Sequence, residues 1–279
     1  MKLALISDIH GNLEALCAVL DDIADFPVDE IICLGDIVGY GPDPEACTDI
    51  VMNKAQLTLM GNHDYALLHG PANFNPMAAN VIYLTQERMA PHPESDGADA
   101  ASPLPCIVDG VIPQCLVPMH SKTSRWRFIR DLPDRLERDD ALFVHASPLE
   151  PITEYVFPDV FANAWRPHRI PELMGSIKRL CFCGHTHIPC AIASDLECIY
   201  PPECDYRWAF NPDKKYIINT GSVGQPRDHD NRACYLLYDT DGQTILWRRV
   251  GYDIAAVAAK SEAMCGKDNW CAMRLLSGR

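Results

Sequence analysis

Five short segments of this 279-residue chain each place side chains that can bind a metal ion directly after a predicted strand. The side chains are carboxylates, imidazoles and one carboxamide, which are hard-to-borderline ligands. They are Asp8, His10, Asp36, Asn62, His145, His185 and His187, with His63 and Asp64 following directly after Asn62. One such segment would be weak evidence, but five together are hard to dismiss. We therefore predict that the segments converge on two adjacent divalent cations.

Each of these residues also has a simpler interpretation when it is considered alone. Asp8 and Asp36 are typical helix-capping residues, and Asn62 is typical of a turn. A single histidine in a loop is more often a surface or hydrogen-bonded residue than a metal ligand. Half of the ten histidines lie in the five segments, and the others have no comparable setting. Those others are His69, His92, His120, His168 and His229.

The mixture of ligands restricts both the metal and the reaction. Oxygen and nitrogen donors without cysteine suit Mn²⁺, Fe, Zn²⁺, Co²⁺ or Ni²⁺, and we expect Mn²⁺. A carboxylate shared by two cations about 3.5–4 Å apart is the arrangement that stabilises the attacking and leaving oxygens in phosphoryl chemistry. Asp36, between Gly35 and Gly39 where a strand meets a loop, is well placed to bridge two ions.

The first third of the chain alternates apolar strands with amphipathic helices. The predicted strands are Lys2–Ser7, Glu30–Leu34 and Gln56–Met60, and the predicted helices begin at about Asn12 and span Pro42–Asn53 and Pro76–Met89. This order predicts parallel strands joined by right-handed crossovers. Because chemistry gathers at the carboxyl ends of such strands, Asp8, Asp36 and Asn62 are expected to be neighbours.

The second half predicts shorter strands separated by turns, as in antiparallel hairpins. These strands are Ala141–Val144, Arg179–Cys183, Cys190–Ala193, Lys215–Asn219, Cys234–Tyr238 and Thr244–Val250, and further helices are predicted at Ser121–Asp131 and Tyr252–Met264. Residues Ala90–Pro118 are rich in proline and without periodicity, which predicts a surface insertion with a short strand at Cys106–Val111. We expect one α/β domain over residues 1–279, with two sheets packed face to face and helices outside.

Composition excludes several kinds of partner. The net charge of −14 disfavours an extended nucleic-acid surface, and no apolar run is long enough to cross a membrane. The apolar start at Met1–Ile6 is too short for a signal peptide, so we expect a cytoplasmic protein. The thirteen cysteines are then expected to be buried free thiols, with Cys198 and Cys204 as the best disulfide candidates. A homo-oligomer is left open.

The ordered motifs resemble those of the calcineurin-like metallophosphoesterase superfamily. They are Asp-x-His, Gly-Asp-x-x-Gly, Gly-Asn-His-Asp, a single His and Gly-His-x-His. Ser7–Leu16 and Gly221–Asp228 are similar to segments of its small bacterial and archaeal phosphodiesterase branch, so the similarity spans about Met1 to Tyr252. The resemblance implies a four-layer α/β/β/α sandwich of two mixed β-sheets flanked by helices. It also implies the hydrolysis of phosphate esters, phosphodiesters above others.

The same resemblance implies a role for each residue of the motifs. One metal would take Asp8, His10, Asp36 and His187, the other Asp36, Asn62, His145 and His185, and a hydroxide between them would be the nucleophile. His63 would contact the substrate and protonate the leaving alkoxide, while Asp64 would hold its ring in register. The partner would be a small phosphorylated molecule, with a nucleotide as one option.

Three further residues are weaker candidates for substrate binding. The loop Gly221–Arg227 has two interpretations: a phosphate cradle built from backbone N–H groups such as that of Gly224, with Arg227 as a bidentate clamp, or a tight turn with a surface arginine. Asn12 either caps the first helix or faces the substrate.

Other functions stay open at this point. A phosphomonoesterase or a dinucleoside-polyphosphate hydrolase would use the same ligands, since the difference lies in the cleft walls. A non-catalytic metal-bound interaction module is disfavoured by the intact His63 and Asp64. A nucleotide-binding oxidoreductase fits worst, because no Gly-x-Gly-x-x-Gly follows the first strand. Two departures from the superfamily are Thr220, where proline is common, and the long 90–118 insertion.

Overall fold

The structure is a computed structural model that describes residues 1–91, 117, 119–158, 168–267 and 269–279. Two six-stranded mixed sheets pack face to face with helices outside them, which confirms the predicted fold class. The strands are β1 (Lys2–Ile6), β2 (Glu30–Cys33), β3 (Leu57–Thr58), β4 (Arg135–Arg138), β5 (Ala141–Val144), β6 (Leu180–Cys183), β7 (Cys190–Ala193), β8 (Cys198–Ile199), β9 (Arg207–Ala209), β10 (Tyr216–Asn219), β11 (Ala233–Asp239) and β12 (Thr244–Val250). The helices are α1 (Leu13–Ala24), α2 (Pro44–Lys54), α3 (Asn62–His69), α4 (Pro76–Met89), α5 (Lys122–Arg130), α6 (Arg169–Ser176), α7 (Ile254–Cys265) and α8 (Trp270–Ser277).

The first sheet has the strand order β3-β2-β1-β11-β12-β9. Its first three strands are parallel, as the alternation of strands and helices predicted, and β11, β12 and β9 continue the sheet antiparallel to their neighbours. The carboxyl ends of β1, β2 and β3 therefore meet at one edge. The loops that carry Asp8 and Asp36 leave from that edge, as does the segment that leads to Asn62 at the start of α3.

The second sheet has the order β4-β5-β6-β10-β7-β8 and corrects the sequence-based interpretation. The hairpin prediction holds for β11 and β12, which pair antiparallel along their whole length. It also holds for β7 and β10, which pair antiparallel, but it is wrong for β5 and β6, because β5, β6 and β10 run parallel to one another. Short buried strands carry no signal of direction, since direction depends on the connection between them. As a result β5 and β6 present His145 and His185 at the same end.

The main core lies between the two sheets. Large apolar side chains from both inner faces interdigitate there and are fully buried, including Leu5, Phe143, Phe182, Leu236 and Trp247. Phe143 and Phe182 stack across neighbouring strands with ring centroids 5.3 Å apart. Burial of this size fixes how the sheets sit on each other, and therefore which loops of one sheet meet loops of the other.

The outer face of the first sheet is covered by helices whose apolar residues recur every three or four positions. Helix α1 begins at the cap Asn12, whose side chain accepts a hydrogen bond from the Ala15 N–H at 3.1 Å. It buries Leu16, Val19 and Ile23 against the sheet. None of the helices among the described residues is long and apolar enough to cross a bilayer.

Several short elements were not predicted. They are α3, α6, α8, β4, β8 and β9, so the predicted helix at Tyr252–Met264 does not close the fold. Their sequences carry weak or contrary signals: α6 contains proline and glycine, and β4 reads Arg-Leu-Glu-Arg. Such elements form because neighbouring structure packs against them, which overrides local propensity. Almost all of the predicted insertion at 90–118, with its strand at Cys106–Val111, lies outside the described residues.

Most of the described cysteines are free thiols, as expected. Cys198 and Cys204 are both free, so the disulfide considered between them is not formed. Burial raises the pKa of the Cys183 and Cys234 thiols to about 12, which makes both inert at neutral pH. Cys17 departs from the expectation because it is disulfide-bonded.

Candidate metal centre

The structure brings the seven predicted metal ligands together at the facing edges of the two sheets. Three groups of buried side chains each place their ligand atoms within 4.8 Å of one another. The groups are Asp8, His10 and His187; His10, Asp36 and His63; and Asp36, His145 and His185. Asp36 and His10 each belong to two groups, so the three form one continuous cluster.

The first part of the cluster combines β1 with the turn after β6. Nε2 of His187 lies 3.2 Å from Oδ1 of Asp8 and 3.2 Å from Nε2 of His10. The N–H of His185 donates to both carboxylate oxygens of Asp8 at 3.1 Å, which locks the loop of the second sheet onto that of the first. Gly184 is required here, because a Cβ at that position would collide with Ser7 and Asp8.

The second part is centred on Asp36, in the loop after β2. Its Oδ2 lies 3.6 Å from Nε2 of His10 and 3.4 Å from Nε2 of His145. Its Oδ1 accepts a hydrogen bond from the N–H of His63 at 2.8 Å, in the first turn of α3. Nε2 of His145 is also 3.1 Å from Oδ1 of Asn62. One carboxylate oxygen therefore stands between the two histidines that belong to different ligand groups.

Backbone carbonyls orient the histidine rings. Nδ1 of His10 donates to Val38 O at 3.0 Å, Nδ1 of His145 to Leu34 O at 3.1 Å, and Nδ1 of His187 to Gln225 O at 2.5 Å. A carbonyl oxygen only accepts, so these nitrogens carry the hydrogen and each Nε2 is left for a ligand. In His185 the two ring nitrogens exchange roles. Its Nε2 donates to the Thr153 carbonyl at 3.2 Å, which leaves the lone pair of Nδ1 for a ligand.

These contacts show that the donor set fits divalent cations. The neutral rings of His10 and His187 direct lone pairs at each other across 3.2 Å, an arrangement that is repulsive unless a cation lies beside both. The carboxylates of Asp8 and Asp36 are completely buried beside them. Buried carboxylates and imidazole lone pairs that face one another are the chemistry of a metal site.

The backbone at the cluster is strained. Five of the seven predicted ligands are non-glycine residues with positive φ: Asp8 at 54°, His10 at 49°, Asp36 at 55°, His185 at 65° and His187 at 62°. Such a conformation is uncommon outside glycine and costs free energy. It persists because hydrogen bonds between the loops fix it, such as those from the N–H of His185 to the Asp8 carboxylate and from the N–H of His10 to the Asp36 carbonyl.

Burial and charge shift the ionisation of the cluster in opposite directions. Burial opposes ionisation of Asp36, but the charges of His145 and His63 outweigh it and hold its pKa well below the usual value. Burial likewise opposes protonation of His145, but the Asp36 carboxylate raises its pKa to about 9. Burial lowers the pKa of His185 to about 3. In the absence of metal, His145 therefore holds a proton near the Asp36 carboxylate.

Asp64 has a different contact from the one expected. We predicted that it holds the ring of His63, but its carboxylate instead accepts hydrogen bonds from the N–H groups of Asp36, Ile37 and Gly61 at 2.7, 3.0 and 3.1 Å. It thus joins the loop after β2 to the start of α3. The reason is local: at the third position of α3 its side chain folds back over the helix N-terminus.

His63 lies beside the cluster with a free nitrogen. Its Nδ1 is buried and has no partner among the described residues. Its ring packs against His10, Tyr40 and Phe74 with centroid distances of 4.7, 4.5 and 4.8 Å. Burial lowers the pKa of His63 to about 4, so the ring is neutral at pH 7.

The loop after β10 supports the ligands and does not cradle a phosphate. The N–H of Gly224 donates to the Asp8 carbonyl at 2.9 Å, and that of Val223 to the Ser7 carbonyl at 3.0 Å. The N–H of Gln225 donates to Ser222 Oγ at 2.8 Å. These groups are already used by the protein, so the predicted backbone cradle at Gly224 is wrong.

Asn12 is likewise occupied. Its Oδ1 caps α1, and its Nδ2 donates to the Gly224 carbonyl at 2.9 Å. The capping alternative is the one the structure shows, and the side chain also anchors the loop after β10. Arg227 differs from both. Its Nη2 donates to Gln225 Oε1 at 3.0 Å, and its Nε is buried without a partner among the described residues.

Sequence reasoning missed several residues around the cluster. Tyr40 packs edge-on against His10 at 4.7 Å, and the exposed ring of Tyr155 stacks on His185 at 3.9 Å. Asn219 donates to the carbonyl of Gly184 and to Thr186 Oγ1, which shapes the turn carrying His185. Tyr40 directly follows the motif Gly35-Asp36-x-x-Gly39, so its position in the sequence could have placed it near the predicted ligands. Nothing in the local sequence marks Tyr155.

Comparisons with known proteins agree with this geometry. The calcineurin-like phosphoesterase family model matches residues 1–189. An uncharacterised protein of Methanocaldococcus jannaschii is 33% identical over 280 aligned residues, which cover 99% of this chain and 98% of that protein. The crystal structure of a metallophosphoesterase from Sphaerobacter thermophilus has a TM-score of 0.73 at 31% identity and covers 100% of this chain and 99% of that one. A hypothetical protein from Pyrococcus horikoshii shares the fold with a TM-score of 0.68 at 15% identity, over 99% of this chain and 98% of that one.

Proposed function

The chain belongs to the calcineurin-like phosphoesterase family, and we propose that within this family it is a metal-dependent phosphodiesterase. The observation that carries the proposal is the position of Asp36 Oδ2, 3.6 Å from His10 Nε2 and 3.4 Å from His145 Nε2. One oxygen atom that faces two groups of ligands is the arrangement that a bridged pair of cations requires.

We assign four ligands to each cation. Asp8, His10, Asp36 and His187 would hold one, and Asp36, Asn62, His145 and His185 would hold the other. The separate groupings of Asp8 with His187 and of His145 with Asp36 support this division. Mn²⁺ is the expected metal, and Fe, Zn²⁺, Co²⁺ and Ni²⁺ suit the same donors.

The cations and the protein would divide the work of hydrolysis. When bound, the cations would activate water as the nucleophile at neutral pH and would neutralise charge on the phosphate oxygens. Arg227 has free guanidinium donors beside His63 and His187 and would orient a phosphate by charge-assisted hydrogen bonds. Asp64 would have a structural role, because its carboxylate accepts a hydrogen bond from the N–H of Asp36 and so fixes the loop from which the Asp36 side chain projects.

His63 is the group we assign to the leaving oxygen. It lies next to the ligands, is buried, and holds Nδ1 without a protein partner among the described residues. A neutral imidazole has one N–H to donate, and an anionic phosphate beside the ring raises its pKa towards the range of a proton donor. Phosphate esters with poorly stabilised alkoxide leaving groups need this proton most.

Two alternatives use the same ligands. A phosphomonoesterase or a dinucleoside-polyphosphate hydrolase would differ in the cleft walls rather than in the metal centre. A non-catalytic metal-bound module is less consistent with the chain, because His63 is present and unpartnered at Nδ1. The cytoplasmic location and the oligomeric state stay predictions.

A substrate panel tests the proposal. The purified protein is stripped with a chelator, reloaded with Mn²⁺ and assayed with bis(4-nitrophenyl) phosphate, 4-nitrophenyl phosphate and diadenosine tetraphosphate. We expect hydrolysis of the diester to depend on metal and to exceed that of the monoester. Preference for the monoester would favour the first alternative, and no hydrolysis of any ester by protein with its metals bound would refute the assignment.

A further inference from the structure

The ring of His185 is contacted at its edge and on its face by a segment of the chain that follows β5. Its Nε2 donates to the Thr153 carbonyl at 3.2 Å, and the ring of Tyr155 stacks on it with centroids 3.9 Å apart. Both contacts come from the short segment Thr153–Tyr155. The direction in which Nδ1 of His185 points therefore depends on where this segment lies.

Glu154 lies between these two contacts in the sequence, and both of its carboxylate oxygens accept hydrogen bonds. Nε of Arg169, the first residue of α6, donates to Oε1 at 2.6 Å, and its Nη2 donates to Oε2 at 2.7 Å. Solvent reaches 12% of the Glu154 side chain and 18% of that of Arg169. A guanidinium that makes two parallel hydrogen bonds in a mostly buried position is a strong and directional contact, so it fixes the position of the segment.

Ser147 connects the same carboxylate to the loop of a second predicted ligand. Its Oγ donates to Oε2 of Glu154 at 2.5 Å, and the residue is fully buried, two positions after His145. The N–H of Glu150 donates to Ser147 Oγ at 3.0 Å, which closes the turn after β5. One carboxylate therefore fixes the surroundings of both His145 and His185, which the proposed function assigns to the same cation.

The histidines assigned to the other cation are oriented elsewhere. Nδ1 of His10 donates to the Val38 carbonyl, and Nδ1 of His187 donates to the Gln225 carbonyl. These carbonyls belong to the loops after β2 and β10 and not to the loop after β5. The two cation positions are therefore expected to differ in the contacts that set their affinity.

From these contacts we propose that Glu154 and Arg169 are positioning residues for the cation that is assigned to His185. Neither side chain is a ligand. They act through the Thr153 carbonyl and the Tyr155 ring, which set the orientation of the imidazole. This inference rests on the proposed function, because it uses the division of ligands between two cations. It adds that an ion pair to α6 controls the affinity of one position and leaves the other unaffected.

Titration of the metal-free protein with Mn²⁺, followed by calorimetry, measures the affinity of each position. Glu154→Gln keeps the volume of the side chain and removes the charge that pairs with Arg169. It is expected to weaken binding at one position by about tenfold to a hundredfold and to leave the other unchanged, as when a group that orients a metal-binding histidine is lost.

Electron paramagnetic resonance gives a second readout that does not depend on activity. Neighbouring Mn²⁺ ions couple magnetically, and an isolated ion does not. At a Mn²⁺ concentration that just fills both positions of the wild-type protein, Glu154→Gln should show the spectrum of an isolated ion. Addition of more Mn²⁺ should restore the spectrum of the coupled pair. A contact that only stabilises the fold would not change which spectrum is seen.

Arg169→Gln tests the ion pair from its other side, and we expect the same selective loss. Arg169→Lys keeps the charge but not the paired N–H donors, so its affinity should fall between those of the wild-type protein and Arg169→Gln. This partial rescue also keeps the test valid if the glutamine variant folds poorly.

The matched control is Arg248→Gln. Arg248 makes an ion pair of the same kind, since its Nε and Nη2 donate to the carboxylate of Asp22 at 3.0 and 2.7 Å. That pair joins β12 to the last turn of α1. The control removes the same charge and a comparable contact, and it should leave both Mn²⁺ affinities unchanged. Urea denaturation of both variants shows whether they lose a similar free energy of unfolding.

The outcomes separate this inference from the proposed function. A selective loss at one position in Glu154→Gln would support the inference even if the wild-type protein, with two Mn²⁺ ions bound, hydrolysed no phosphate ester. That second result would refute the phosphodiesterase alone. Unchanged affinities in Glu154→Gln would overturn the inference alone, and so would an equal loss at both positions, which would show that the ion pair only stabilises the fold.

Discussion

Asp36 divides its two carboxylate oxygens between the protein and the proposed metals. Oδ1 accepts from the N–H of His63 at the start of α3, and Oδ2 stands between His10 and His145. The sequence predicted the bridging position from two flanking glycines, but not the hydrogen bond that aims the carboxylate. That bond depends on α3, a helix the sequence does not indicate, and so it was beyond reasoning from spacing alone.

Asp36→Asn tests the bridge with almost no change of shape. Because the N–H of His63 needs an oxygen acceptor, the amide nitrogen is expected to turn towards the metals, where it cannot bind. We expect bound Mn²⁺ to fall by at least half in elemental analysis and kcat to fall by roughly a hundredfold or more. Asp21→Asn, an exposed position on α1, is the control and should change neither. Wild-type activity and metal content in Asp36→Asn would contradict the bridging role.

His63→Ala separates catalysis from metal binding. The side chain is not among the assigned ligands, so both metals should stay bound while the rate falls. The loss should be larger, by about tenfold or more, for alkyl phosphodiesters than for nitrophenyl esters, because only the former need a proton on the leaving oxygen. The comparison uses kcat on the two classes of ester. An equal loss on both would show that His63 does not serve the leaving group.

His145 makes metal binding depend on pH. Its pKa is raised to about 9 by the Asp36 carboxylate against the opposing effect of burial, so at pH 7 it is protonated in the metal-free protein. Binding of a cation must displace that proton, and affinity should rise about tenfold per pH unit up to pH 9 and then level off. Calorimetric titrations with Mn²⁺ in buffers of different ionisation enthalpy measure the released proton. His145→Gln should abolish this release, and affinity independent of pH between 7 and 9 would contradict the account.

At the scale of elements, the site depends on which strand ends lie side by side and on the hydrogen bonds between the loops that follow them. The alternation of strands and helices predicted that β1, β2 and β3 would deliver Asp8, Asp36 and Asn62 to one edge, since parallel topology alone requires it. It did not predict that β5, β6 and β10 are parallel. Nor did it predict that the N–H groups of Val223 and Gly224 donate hydrogen bonds to the carbonyls of Ser7 and Asp8. Hydrogen bonds between segments distant in sequence leave no periodic signal.

The Asp64 side chain connects the loop after β2 to helix α3 through hydrogen bonds. Asp64→Ala would leave the buried N–H groups of Asp36, Ile37 and Gly61 without their acceptor, at about 1–3 kcal/mol each where water does not replace it. We expect the free energy of unfolding of the metal-free protein, from urea denaturation, to fall by roughly 3 kcal/mol or more. Asp64→Asn should lose less, because it keeps one acceptor oxygen.

Asp134→Ala is the control for this loss. Asp134 is exposed ahead of β4, and its removal should change the free energy of unfolding by less than about 0.5 kcal/mol. If Asp64→Ala were no less stable than this control and still bound two metals, the carboxylate would not be holding the Asp36 loop. The expected Asp64–His63 contact would then need to be sought in the substrate complex.

At the scale of the whole molecule, the metal centre is a product of sheet packing. Asp8 leaves the first sheet and His185 the second, and they meet only because the large side chains between the sheets set the distance between β1 and β6. The family resemblance covered the motifs through about Tyr252, so it did not extend to α8. The packing of Trp270 of α8 against Tyr40, with ring centroids 5.9 Å apart, became visible only when the chain was folded.

The central claim is that these residues hold two cations in one pocket, and a crystal soaked in Mn²⁺ tests it most directly. Anomalous scattering from manganese locates the ions without reference to activity. The account predicts two peaks about 3.5–4 Å apart, with Asp36 Oδ2 between them and Asn62 and His145 beside one of the two. A single peak, or none within reach of Asp36, would contradict it.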